Sequence, residues 1–169
     1  RVQLEHRLGE VYGVSAPADA GWTSVTLDSD QRAGVLTHAS MLSLGANERD
    51  PSPVLRGVAV LKNFMCLQPT PPPVNVDTSV PAADDEAEPR TNRERFEAYI
   101  SGPECVSCHR AFDPIGYTFE SYDAVGRFRT KDNDRPVDAL ASWVSPDEFA
   151  GVEVSGPVEA SRKRPRPSP

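Results

Sequence analysis

No apolar run in this 169-residue chain approaches the roughly 18–20 residues that a helix needs to span a bilayer. Aromatic residues are scarce at 7%, and apolar residues reach only 38%, so side chains alone can build only a modest core. Cysteine is sparser still: three residues, an odd number that leaves one thiol over after any pairing. There is no surplus of positive charge; the formal net charge of −7 argues against a general nucleic-acid or anionic-membrane binder, whose surface would be basic. No Ser–His–Asp, HExxH or phosphate-loop pattern offers a catalytic site. Neither Met nor a signal-like segment opens the chain, which begins at Arg1 and is expected to be an internal fragment of a longer protein.

Against these absences stands one strong motif, Cys105-Val106-Ser107-Cys108-His109. A CxxCH pentapeptide is the ordinary attachment sequence for a c-type haem. Two thiols three residues apart can each form a thioether with a porphyrin vinyl group, and the adjacent imidazole is carried under the iron as the proximal ligand. On a helical turn, residues at i, i+3 and i+4 share a face, so all three side chains can point at one flat ligand. Gly102-Pro103 breaks the chain just before the motif and Asp113-Pro114 is expected to end the turn just after it. Thioether attachment is typically completed outside the cytoplasmic membrane, so a periplasmic, cell-envelope or secreted location is expected.

Seventeen prolines against eleven glycines predict short elements joined by fixed turns. Gln3 to Tyr12 reads as a helix with Leu4, Leu8, Val11 and Tyr12 on one stripe, stopped at Gly13, and with His6 facing solvent. Trp22 to Leu27 reads as a short extended piece, while periodicity does not decide Arg32 to Leu44. Ser52 can cap a helix with Pro53 in its first turn, and Val54, Leu55, Val58, Leu61, Phe64 and Met65 supply its apolar stripe. Cys66 is expected as a buried thiol. Residues 73–90 read as an acidic, Pro-rich surface linker. Thr91-Asn92-Arg93-Glu94 is a capping box that opens a short helix through Phe96, Tyr99 and Ile100. The densest aromatic region follows the motif, and beyond it short strands and turns are expected. A basic tail at 159–169 is expected to be disordered.

Three blocks make the chain resemble the third group of planctomycete-type cytochrome c domains, an uncharacterised domain family. They are Arg32-Ala33-Gly34-Val35-Leu36-Thr37-His38-Ala39-Ser40, then Ser52-Pro53-Val54-Leu55-Arg56-Gly57, and the CxxCH with Asp113-Pro114-Ile115-Gly116-Tyr117-Thr118-Phe119-Glu120-Ser121-Tyr122-Asp123-Ala124-Val125-Gly126-Arg127. Together they cover roughly residues 30–130. The resemblance implies covalent haem c binding and electron transfer within a large secreted or envelope protein. It divides the chain into the end of a preceding domain (1–21), a cytochrome c-type domain (22–158) and the tail. One departure is Ala111, two residues after the motif His, where many relatives carry Met. That Met is not required for binding if the resemblance holds.

The expected fold is mainly α, with extensive irregular loops, a few short strands and a cytochrome c-like helical core around the CxxCH turn. Cys105, Cys108 and His109 are the candidate haem ligands. Phe112, Ile115, Tyr117 and Phe119 are candidates for haem packing or the adjoining core, and Arg56, Arg127 and Arg129 for pairing with propionates. Met41, Met65 and His38 are candidates for the sixth iron position; Met there would raise the potential, His would lower it, and an open site would admit ligands or peroxide. Three functions follow: an electron-transfer module served by a redox partner or neighbouring domains, a haem enzyme with an open distal side, or a non-haem interaction module with a Cys/His metal or disulfide staple. A zinc staple lacks a second Cys/His pair.

Overall fold

The computed structural model describes residues 2–15, 17–19, 21–76, 89–144 and 151–162. The chain opens with β1 (Val2–Glu5), which passes directly into α1 (His6–Tyr12). The single helix expected over Gln3–Tyr12 is thus shorter at its start. Residues 2–5 pair antiparallel with β2 (Trp22–Val25) instead, and this tertiary pairing overrides the local helical pattern. The expected stop holds: Gly13 closes α1 in the left-handed region at φ 66°. Leu4 and Tyr12 are buried and His6 is exposed. The strand that begins the expected cytochrome-type domain therefore pairs with one from the segment assigned to a preceding domain.

The undecided stretch from Arg32 folds as a 3-10 turn (Val35–Thr37) followed by one turn of helix, α2 (Ala39–Leu42). Then comes α3 (Pro53–Phe64), capped as expected by the Ser52 hydroxyl accepting from Leu55 N–H at 3.2 Å, with Pro53 in the first turn. Its buried face differs from the apolar stripe: Arg56, Gly57, Val60 and Leu61 are inside, while Leu55 and Phe64 are exposed. Cys66 after it is exposed, contrary to the buried thiol expected. Residues 77–88, most of the expected acidic linker, lie outside the described residues.

The capping box forms in full at α4 (Asn92–Tyr99), with Glu94 N–H bound to the Thr91 hydroxyl at 3.2 Å and Thr91 N–H to the Glu94 carboxylate at 2.7 Å. Two short helices follow, α5 (Pro103–His109) and α6 (Asp113–Tyr117). Asp113-Pro114 does not simply end the motif turn; it opens α6, because Pro is tolerated where the helical N–H has no partner anyway. The remainder is β3 (Lys131–Asp132) with β4 (Arg135–Pro136), then β5 (Ala141–Trp143) with β6 (Val152–Val154), and α7 (Pro157–Arg162). Residues 159–162, expected as the start of a disordered tail, are helical, with Ala160 buried; 163–169 lie outside the described residues. Helices, a few short strands and irregular loops are thus as the sequence suggests.

The closest packing joins α3 to α6. A Cβ at Gly57 would lie 2.8 Å from the Phe112 carbonyl carbon, and one at Gly116 would lie 3.0 Å from Pro53 Cα, with the carbonyl oxygens nearer still. Glycine at both positions lets the two backbones touch. Around that contact Met41, Leu42, Val60, Phe96, Ile115, Phe119, Tyr122 and Trp143 form the main core. Arg56 runs through it, donating to the carbonyls of Leu42 (2.7 Å), Phe119 (3.1 Å), Tyr122 (3.1 Å) and Asp123 (2.7 Å). Arg32 does similar work at the edge: its guanidinium lies between the rings of Tyr12 and Tyr122 and donates to Thr37, Val11 and Gly126 carbonyls. No described helix is long and apolar enough to cross a membrane.

Candidate functional site

Gly102 leads into Pro103, which opens α5, so the whole CxxCH motif sits on one short helix. Cys105, Cys108 and His109 occupy i, i+3 and i+4, and both thiols are free. Not one residue of α5 is buried, and Val106 stands 44% exposed. That is unusual, because short helices owe most of their stability to an apolar face packed on something else.

Two tight turns follow. Ala111 N–H donates to Cys108 O and Phe112 N–H to His109 O, each at 3.1 Å. They bring Asp113 back to the His109 ring, whose Nδ1 lies 2.9 Å and 3.1 Å from the two carboxylate oxygens. The carboxylate is buried and the imidazole about a quarter exposed, at 24%. Burial pushes the Asp113 carboxyl up to about 6, opposed by the charge and hydrogen bond of His109. With Nδ1 occupied, Nε2 is the ring nitrogen left for a ligand. Phe112 flanks the imidazole with its ring centroid 4.9 Å away.

A shallow cleft of about 200 Å³ adjoins this helix. Its wall includes Ile100 from the end of α4, Val106, His109 and Arg110 from the motif region, and Asp113, Pro114 and Tyr117. Tyr117 is buried, its hydroxyl has no hydrogen-bond partner among the described residues, and the Arg93 guanidinium stacks 4.8 Å from its ring centre. Burial, with the Asp113 charge next, drives its phenol well above the usual tyrosine range.

Of the residues singled out in the sequence, the cleft gathers His109 and Tyr117 beside the two cysteines' helix. Phe112 touches the imidazole from the buried side, whereas Ile115 and Phe119 lie inside the main core. None of His38, Met41 and Met65 lines the cleft. His38 is exposed, with Nδ1 2.9 Å from the Ser40 hydroxyl and its ring against Tyr12. Met41 is buried in the main core and Met65 packs half-buried against it. Arg127 is exposed, and its backbone closes a turn with Asp123. Arg56 and Arg129 do not present free forks for a ligand. Arg56 is committed to four carbonyls, and Arg129 binds Glu120 (O, and a carboxylate oxygen at 3.2 Å) and Asp132 (2.7 Å). Among the described residues, no group of three or more His, Cys, Asp and Glu side chains is placed to hold a metal ion.

Sequence reasoning passed over Asp113 as a site residue, although its position four residues after His109 was a readable signal. Periodicity alone did not show that the chain turns sharply between them.

The family PSCyt3, described as a protein of unknown function (DUF1588), matches residues 32–132. The chain belongs to this family. The match begins at Arg32, the arginine held between two tyrosines, and ends at Asp132, which pairs with Arg129 and accepts from Asn92 N–H at 2.6 Å. No curated protein and no solved structure matches the chain. PSCyt3 thus spans α2 to α6 and the motif helix between them, and takes in all of the residues that fix His109.

Proposed function

We propose that this PSCyt3 chain binds haem c covalently and acts as a one-electron-transfer module of a larger secreted, periplasmic or envelope protein. Cys105 and Cys108 would carry the two thioethers and His109 Nε2 would ligate the iron. When bound, the haem supplies the one-electron chemistry. What supports the reading most is α5 itself: a helix carrying both thiols and the imidazole, with no buried residue of its own. A porphyrin against that helix would give it the apolar partner it lacks, in a chain poor in aromatic side chains.

The protein's own residues have three tasks. The thiols tether the group, Asp113 orients the imidazole so that Nε2 is the ligating atom, and the cleft walls formed by Ile100, Val106, Pro114 and Tyr117 offer apolar surface beside it. A redox partner or a neighbouring domain of the parent chain would exchange the electron. His38, Met41 and Met65 are the side-chain candidates for the sixth position.

The test is to express residues 1–169 behind a signal peptide in a host with haem-c maturation. Absorption spectra are recorded oxidised, reduced and with carbon monoxide, and intact mass is measured. A mass increase of one haem that persists after denaturation supports the reading, and Cys105→Ala and Cys108→Ala should each remove one thioether. A colourless product of unmodified mass would overturn it. Resistance to carbon monoxide indicates a side chain at the sixth position, as electron transfer favours. Rapid binding indicates an open site and turns the reading toward a peroxidase- or oxidase-type haem enzyme.

A further inference from the structure

We propose that Asp113 is the positioning residue of the axial ligand: its buried carboxylate accepts the His109 Nδ1–H and gives the ring anionic character, holding the iron toward its oxidised form. This rests on the haem reading above and goes beyond it by assigning a residue that sets the potential.

The geometry carries the inference. Both Asp113 oxygens lie within hydrogen-bond reach of Nδ1, at 2.9 Å and 3.1 Å. Among the described residues no Arg or Lys pairs with this carboxylate, so its charge acts on the imidazole without a competing cation. Buried surroundings screen that charge less than water would. A partner of this kind raises the basicity of a ligating histidine and fixes its ring. A backbone carbonyl in the same place would offer only a dipole. Negative charge behind the axial imidazole stabilises ferric over ferrous iron, so the potential falls.

Asp113 is also poorly able to move. It is the first residue of α6, whose Gly116 rests against the Pro53 backbone, while the preceding Phe112 carbonyl rests against Gly57. The backbone contact between α3 and α6 therefore fixes the carboxylate, and the carboxylate fixes the ring. His109 is thereby held by the core even though the helix that carries it buries nothing.

The experiment compares haem-loaded wild-type protein with Asp113→Asn and Asp113→Glu. Spectroelectrochemical titration gives the potential. Resonance Raman gives the iron–imidazole stretching band of ferrous protein, recorded directly or just after photolysis of bound carbon monoxide. Asp113→Asn should raise the reduction equilibrium constant at least about tenfold, which is about 59 mV for a one-electron couple, and lower the stretching band; Asp113→Glu should recover part of both. An Asn variant that carries haem but moves neither quantity overturns the assignment, while attached haem in the wild type leaves the functional reading standing. If the Asn variant fails to mature, the wild-type band decides, against a haem-bearing CxxCH peptide that has no carboxylate. A band above the peptide's supports the assignment, and a band at the peptide's position overturns it. Wild-type protein without attached haem overturns both.

Discussion

Replacing Arg56 with Met tests whether one buried guanidinium holds the loops of this fold to its core. Arg56 is 1% exposed, and burial draws its pKa down to about 10 against the opposing charge of Glu120. Its four hydrogen bonds reach Leu42 at the end of α2 and Phe119, Tyr122 and Asp123 after α6. Two effects compete when it is removed. Losing a buried charge relieves desolvation, which makes some buried ions dispensable. Against that, acceptors lose their donor. Phe119 O retains a bond from Tyr122 N–H and Asp123 O one from Gly126 N–H, which leaves the carbonyls of Leu42 and Tyr122 as the main casualties. At about 1–1.5 kcal/mol for each of the two carbonyls left unpaired, the loss is about 2–3 kcal/mol. Relief of desolvation is the smaller effect here, because Arg56 also faces Glu120, a buried carboxylate that would keep Arg129 as its one neighbouring cation among the described residues, beside the Asn92 amide. Urea unfolding followed by tryptophan fluorescence measures the loss. With a slope of about 2 kcal/mol per molar, the midpoint should fall by about 1–1.5 M. Arg56→Lys retains the charge without the fork and should lose about half as much. A Met variant within about 1 kcal/mol of the parent, with unchanged slope, would refute the argument.

Gly57→Ala should cost about 2–3 kcal/mol, since the added methyl meets the Phe112 carbonyl and a helix backbone must shift to admit it; a urea midpoint equal to the parent's would show that α3 and α6 are not in backbone contact. A pH-dependent gap is expected for Glu120→Gln. Burial holds the Glu120 carboxyl above the usual carboxylate range despite Arg56, Arg129 and the Asn92 amide. A group whose folded pKa is raised contributes stability that is complete below its unfolded value, about 4.3, and lost as pH climbs through the folded value. Wild-type protein should therefore lose ground to Glu120→Gln as pH rises above about 4, read from urea midpoints at a series of pH values. A gap that is flat, or that moves the other way, refutes the direction.

What could be read from the sequence was whatever is decided within a few residues. Ser52-Pro53 and Thr91–Glu94 fix helix starts through bonds to their own first turns, and CxxCH spacing puts three side chains on one helix. The misreadings share a cause: a distant partner decided the outcome. Residues 2–5 became a strand because β2 lies alongside. The inner face of α3 is Arg56, Gly57, Val60 and Leu61 because α6 requires a glycine against it and four distant carbonyls require a donor. Val54, Leu55, Val58, Leu61, Phe64 and Met65 make a convincing stripe, yet no local pattern reports that an arginine belongs inside.

That arginine points to a general feature of loop-rich chains. Helices and sheets satisfy their own backbone groups, whereas buried irregular segments need donors from elsewhere. Here side chains supply them. Arg56 serves the loop after α6, and Arg32 serves carbonyls from α1, the 3-10 turn and Gly126. The Asn92 amide donates to the Pro51 carbonyl and to both oxygens of Glu120. A chain with 38% apolar residues can thus fix long irregular stretches without a large core. The same logic accounts for the motif region. Among the described residues the neighbouring elements are tied down by buried polar or glycine contacts, whereas α5 buries none of its residues and is held at its end, where His109 meets Asp113 and Phe112. A helix held at one end and burying none of its own residues can carry a large flat group on the rest of its surface without core packing being broken.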